Sequence, residues 1–223
     1  MNSNSAIQTR GGFPINKGSI RQKKHKKNGG IILIEYAYDN KKGRCEPAII
    51  LFRGRDLCSD GGGNQDKSDT DIKDTATREL NEESANLFRL RPSTLETVPY
   101  HIDKNYTCFF VGIQNSIPTQ YFDENLAIIK KNGGPHEWRE MSQLHKFYIS
   151  DLRGMNLDGD GHLSGITDAD GNTNLTIKLK TKISINYGLF QINKQIEFIK
   201  LNENLDFQEG SNMFLRGTKC YWL

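Results

Sequence analysis

The sequence predicts an α/β fold, and three observations carry that expectation. Residues 31–38 and 48–53 are β-branched and aromatic runs, residues 72–85 form a polar helical segment, and residues 106–113 form a third apolar run. With 223 residues the chain is long enough to bury a sizeable core. Its apolar fraction of 35% and charged fraction of 26% are polar for a folded protein but short of a disordered composition.

Residues 1–29 are rich in Asn, Ser, Gly and Lys, lack hydrophobic periodicity and contain a basic run at 21–27. They are expected to form a flexible basic leader, with residues 30–223 as a single domain. The two strands at 31–38 and 48–53 flank a segment of turn residues, Asp39 to Arg44, which predicts a hairpin entering a buried sheet. Gly61, Gly62 and Gly63 then predict a tight turn that exposes backbone N–H groups. An Asp-rich stretch leads into the helix, with Asp69, Thr70 and Asp71 as candidate caps.

Further along, residues 97–100 and 106–113 read as strands. Residues 137–144 read as a short strand turning into a helix at Ser142. Residues 156–174 are glycine- and aspartate-rich and are expected to form an inserted loop. Residues 175–185 alternate apolar with polar or basic side chains, as a half-buried strand does. Residues 192–201 fit a helix or a strand. The partial calcium-loop pattern at Asn156, Asp158 and Asp160 lacks a glutamate at its twelfth position, where Thr167 stands.

The net charge of +3 is too small to imply a nucleic-acid partner by itself. The four cysteines are scattered without metal-ligand spacing and fit reduced thiols. No stretch approaches a membrane span and the start carries no secretory h-region, so a cytoplasmic protein with no membrane partner is expected.

Chemistry concentrates in the helix. On a helical path Glu79, Glu82 and Glu83 stand three and four residues apart, which puts their carboxylates on one face. Like charges so placed repel, and a hard cation such as Mg²⁺ or Mn²⁺ turns that repulsion into a site. Arg53 and Arg55, shortly before the glycines, are candidate phosphate contacts.

The segment Arg78, Glu79, Leu80, Asn81, Glu82, Glu83 resembles the core of the Nudix signature, Gly-x5-Glu-x7-Arg-Glu-U-x-Glu-Glu-x-Gly-U, where U is bulky and aliphatic. The two preceding strands, the triple glycine and the segment from His136 to Leu144 extend the likeness over roughly residues 28–150. Three departures stand out. The interval from Gly62 to Arg78 is about two residues longer than in the signature. With that longer interval, Thr70 falls at the place of the first signature glutamate, leaving Asp69 and Asp71 as candidates for its role. Ala85 and Asn86 replace the last glycine and aliphatic residue, and the tail after residue 150 falls outside the likeness.

The resemblance implies an α/β/α sandwich with a mixed sheet and a metal-dependent hydrolase of a nucleoside diphosphate linked to another group, capped RNA being a special case. It implies Glu79, Glu82 and Glu83 as ligands of Mg²⁺ or Mn²⁺, with Glu82 or Glu83 also orienting or deprotonating water, and Arg78 as a structural partner. Glu137 is implied as an additional ligand or base from across the cleft, and Gly62 and Gly63 as substrate-binding backbone. The partner is a nucleotide or other polyphosphate small molecule, or RNA. Two alternatives stand beside it: a non-catalytic module of the same fold binding nucleotide, RNA or protein, and a diphosphoinositol polyphosphate hydrolase.

Overall fold

The computed structural model describes residues 27–113, 116–191, 206–209 and 219–222, with backbone alone for residue 191 and the last two segments. Most of the basic run and the segment 192–201 lie outside the described residues.

The expected hairpin is present as β1 (Asn28–Asp39) and β2 (Arg44–Gly54), antiparallel and in register from Leu33 opposite Ile50 to Asp39 opposite Arg44. Gly43 closes the turn at φ +66°, donating its N–H to the Asp39 carbonyl at 2.8 Å. The first strand begins inside the stretch expected to be leader. Asn28, Gly29 and Gly30 are held on both sides, by β4 (Gly61–Asn64) antiparallel and by β7 (Tyr106–Ile113) parallel.

The triple glycine is therefore a strand and not the tight turn expected, and none of its residues has a positive φ. Close packing explains its composition. A Cβ on Gly62 would collide with the Tyr106 hydroxyl and the Gly30 backbone, and one on Gly61 would meet the Leu80 Cα at 3.1 Å.

The main sheet runs β6-β7-β1-β2-β3-β10-β9, with β3 at Leu57–Ser59, β6 at Tyr100–Asp103, β9 at Leu163–Ile166 and β10 at Leu175–Ile177. β4 lies beside β1, and β8 (Gln143–Tyr148) beside β2. Parallel pairing at β1–β7 and β3–β10 makes the sheet mixed.

Both faces are covered, which is why the strands read as unbroken apolar runs. Ile31, Leu33, Ile50, Phe52 and Val111 face one core with α1 (Ile72–Glu83) and α2 (Gln120–Lys131). Ile32, Ile34, Ile49, Leu51 and Phe110 face the other with α3 (Ile149–Arg153) and the helical stretch that follows β10. The architecture is an α/β/α sandwich around a mixed sheet. Among the described residues no helix is long and apolar enough to cross a membrane.

Several expected elements are corrected. Of residues 97–100 only Tyr100 is in a strand: a 3₁₀ turn, Pro92–Glu96, precedes β6, whose Tyr100 pairs with Phe109. Residues 137–144 run in the opposite sense to that expected, a 3₁₀ turn at Glu137–Arg139 followed by strand β8. Two polar residues disguise β8. Lys146 is buried against Glu35 at 2.5 Å, and the His145 Nδ1 lies 2.6 Å from Asp168 Oδ2.

The expected loop at 156–174 contains β9, which adds to the sheet edge through β10. The expected strand at 175–185 is only three residues long. It gives way to α4 (Leu179–Ile183) and a π-helical stretch, Ser184–Gln191, because Thr181 and Lys182 are both buried and break the alternation. A second sheet joins β5 (Phe88–Arg89) to β12 (Lys219–Trp222) and β11 (Asp206–Glu209).

Candidate active site

Helix α1 starts at Asp71, whose side chain accepts from the N–H groups of Lys73 at 2.7 Å and Asp74 at 3.1 Å. It ends at Glu83, two residues earlier than expected. Ala85 (φ +50°) and Asn86 (φ +61°) both enter the left-handed region, and the Asn86 N–H closes on the Asn81 carbonyl at 2.9 Å. The helix therefore stops at the position where the signature places its glycine, with alanine in that conformation and asparagine, which tolerates it better, directly after.

Arg78 organises the carboxylate face. Its Nη1 lies 2.9 Å from both Glu79 and Glu82, and its Nη2 donates to the Asn64 carbonyl at 2.9 Å. Asp69 receives Nε at 3.1 Å and Nη2 at 3.0 Å, together with the Thr75 hydroxyl at 3.0 Å and the Asp66 N–H at 2.8 Å. Of the candidates for the displaced signature glutamate, Asp69 reaches the arginine. Asp71 caps the helix, and Thr70 bonds to Asp74. Burial opposes the charge on Asp69, yet Arg78 and these donors hold its carboxyl below the usual range.

Glu83 accepts the Gly62 N–H at 2.7 Å. The Glu79 carboxylate rests on Gly63, where a Cβ would overlap it. The glycine strand thus approaches the helix closely enough for one backbone N–H to meet one carboxylate and for another carboxylate to occupy the space of an absent side chain.

Glu79, Glu82 and Glu83 line a cleft of about 730 Å³ with Gly62 and Gly63, and Glu137, Glu140 and Lys178 border the same space. Burial raises the carboxyl pKa of all three helix glutamates, of Glu83 most strongly. Arg78 opposes the rise at Glu79 and Glu82, while Glu137 adds to it at Glu82. At Glu83 the Gly62 N–H and Lys178 oppose it, and Asp60 and Glu79 add to it. Asp60 is itself buried behind the site, accepting from the Tyr106 hydroxyl and from Thr181 Oγ1 at 2.5 Å.

The cleft therefore carries more negative charge than its cations offset. In donor chemistry its oxygen-only carboxylates fit a hard divalent cation. In this structure Arg78 holds Glu79 and Glu82, and among the described residues no three acidic, histidine or cysteine side chains are drawn together as a ligand set.

Of the residues singled out in sequence, Glu79, Glu82, Glu83, Glu137, Gly62, Gly63 and Arg78 meet at this cleft. Arg53 and Arg55 do not line it. Arg53 bonds to Gln143 at 3.2 Å, and Arg55 turns between β2 and β3 at φ +53°. Lys178 and Glu140 line the cleft without having been anticipated. In the sequence Lys178 alternates with Lys180 and Lys182, a pattern that says nothing about which of the three reaches a cleft.

No family model matches the chain, and no curated protein sequence matches it. Solved structures similar to it include a mutT/nudix family protein from Listeria innocua, at 14% identity and a TM-score of 0.41, covering 78% of this chain and 98% of that one. A C. elegans Ap4A hydrolase in a binary complex is similar at 12% identity and a TM-score of 0.33, covering 58% of this chain and 84% of that one. Both overlaps are loose.

Proposed function

We propose that this chain is a Nudix-type hydrolase that cleaves a pyrophosphate bond in a nucleoside-diphosphate-linked substrate with the help of Mg²⁺ or Mn²⁺. One observation carries this reading: three glutamates from a single helix turn border one cleft with the glycine strand, and Glu137 borders it from another element. Glu79, Glu82 and Glu83 would hold the divalent ion. When bound, it neutralises phosphate charge and lowers the pKa of water.

Burial raises the Glu82 carboxyl pKa and the charge of Glu137 adds to the rise, which favours Glu82 as the group that takes a proton from attacking water. The water oxygen bonds to phosphorus as the bridging P–O bond breaks, and the departing phosphate takes the electron pair. Arg78, tied to Asp69, keeps Glu79 and Glu82 aligned along one side of the cleft.

Phosphate release from a panel of nucleoside diphosphate derivatives, capped RNA and diphosphoinositols, with Mg²⁺ or Mn²⁺, tests the reading. Turnover by the wild type that is lost in a Glu82→Gln, Glu83→Gln variant supports it. Equal inertness of both proteins across the panel sinks it. A second reading, a binding module without turnover, draws on the arginine that neutralises two of the three carboxylates. Metal-independent nucleotide binding without turnover is its expected result.

A further inference from the structure

We infer that Lys178 is a substrate-binding residue that holds a phosphoryl oxygen of the polyphosphate chain in the carboxylate cleft, an inference that rests on the hydrolase reading above. The residue comes from a part of the chain remote in sequence from the carboxylate helix. It follows β10, which runs parallel to β3 with Ile177 opposite Cys58, and its N–H donates to the Cys58 carbonyl at 2.9 Å. Cys58 leads within three residues into the glycine strand, so the lysine backbone is tied close to the strand whose Gly62 N–H meets Glu83.

The three alternating lysines have separate fates. Lys182 is buried and donates to the Gly159 carbonyl, and the Lys180 Nζ lies 3.7 Å from the centre of the Tyr106 ring. Lys178 alone of the three borders the cleft, and its side chain is exposed there. Arg78, the strongest cation nearby, is committed to Asp69, Glu79, Glu82 and the Asn64 carbonyl. Among the described residues no carboxylate pairs with the Lys178 Nζ. A cation delivered to a cleft and left unpaired beside Glu83 suits an incoming anion, and a flexible ammonium suits a phosphoryl oxygen.

The test uses the full chain as wild type, Lys178→Ala, Lys178→Arg and Lys131→Ala, the last removing an exposed charge from α2 outside the cleft. Two readouts are taken with Mg²⁺ present: kcat and KM on a substrate the wild type turns over, and calorimetric affinity for inorganic pyrophosphate. Lys178→Ala is expected to raise KM and the pyrophosphate Kd about tenfold with kcat within about twofold. Lys178→Arg should restore most of both, and Lys131→Ala should change neither. If wild type turns over substrate while Lys178→Ala keeps the same KM and pyrophosphate affinity, the inference falls and the hydrolase reading stands. If wild type neither turns over substrate nor binds pyrophosphate, both fall.

Discussion

Arg78 and Asp69 are joined at two points, Nε to Oδ1 at 3.1 Å and Nη2 to Oδ2 at 3.0 Å, across the loop that leads into the carboxylate helix. The Asp69 side chain is 4% exposed, so this is an inward-facing pair and not a surface ornament. These two bonds tie the loop to the helix, and the same guanidinium spaces Glu79 and Glu82. Two-point pairing of this kind fixes a side chain in geometry as well as in charge.

Replacing Asp69 by Asn should therefore disturb both stability and the site. Loss of a charge-assisted pair from a mostly buried position is expected to cost about 2–3 kcal/mol, read as a lower melting temperature. Turnover should fall as well, because Arg78, released from Asp69, no longer holds Glu79 and Glu82 in their present positions. An unchanged melting curve would mean that the pair contributes nothing.

Glu83 makes stability depend on pH in an unusual direction. Its carboxyl pKa is raised in the folded protein, with burial as the largest cause and Asp60 and Glu79 adding to it. A group raised on folding contributes stability fully below its unfolded pKa and loses it as pH rises through the folded value. The metal-free protein should thus gain stability as pH falls from neutral towards the ordinary carboxylate range. Below that range Asp69, whose carboxyl is lowered on folding, reverses the trend as it protonates. Glu83→Gln is expected to raise stability near pH 8 and to flatten this slope, while abolishing turnover. Thermal melts of both proteins across pH 5–9 check it, and parallel curves would contradict it.

The glycines of β4 separate packing from chemistry. At Gly63 the nearest atoms to an added methyl are those at the end of the Glu79 side chain, which can swing away. Gly63→Ala should leave stability within about 1 kcal/mol while displacing Glu79 and reducing turnover strongly. At Gly61 the methyl meets the Leu80 Cα at 3.1 Å and the Phe52 ring at 3.3 Å, neither free to move. Gly61→Ala should cost about 1–3 kcal/mol by overpacking. Melting temperature and rate measured on both variants distinguish the two effects.

Asn86 ends the helix in the left-handed region, where its Oδ1 also accepts from Asn81 Nδ2 at 2.9 Å and Arg89 Nε at 2.8 Å. Asn86→Ala should cost about 2–3 kcal/mol, from two lost bonds and from alanine's poorer tolerance of that conformation. Asn86→Gly should cost less, because it relieves the strain. A denaturant midpoint shifted equally by both variants would show that the conformation is not what the asparagine provides.

The parts of the fold visible in sequence were those set by local pattern. Strands β1, β2 and β7 announced themselves because both their faces are buried, and α1 because its cap and its spaced glutamates lie within one short segment. Strand β8 was misread because Lys146 and His145 look like solvent-facing residues until Glu35 and Asp168, far away in the chain, are brought to them. The triple glycine was recognised as a constraint and misread as a turn, since close packing and tight turning select the same residue.

The sequence by itself determined the α/β class and the single carboxylate face of α1, because residue spacing along a helix or strand follows from backbone geometry alone. Only the tertiary structure decided that Asp69 and not Asp71 meets Arg78, that Glu137 and Lys178 border the cleft, and that Arg53 and Arg55 do not. Those outcomes depend on which strands lie side by side, and pairing across a hundred residues is set by the packing of both sheet faces, which no local spacing records.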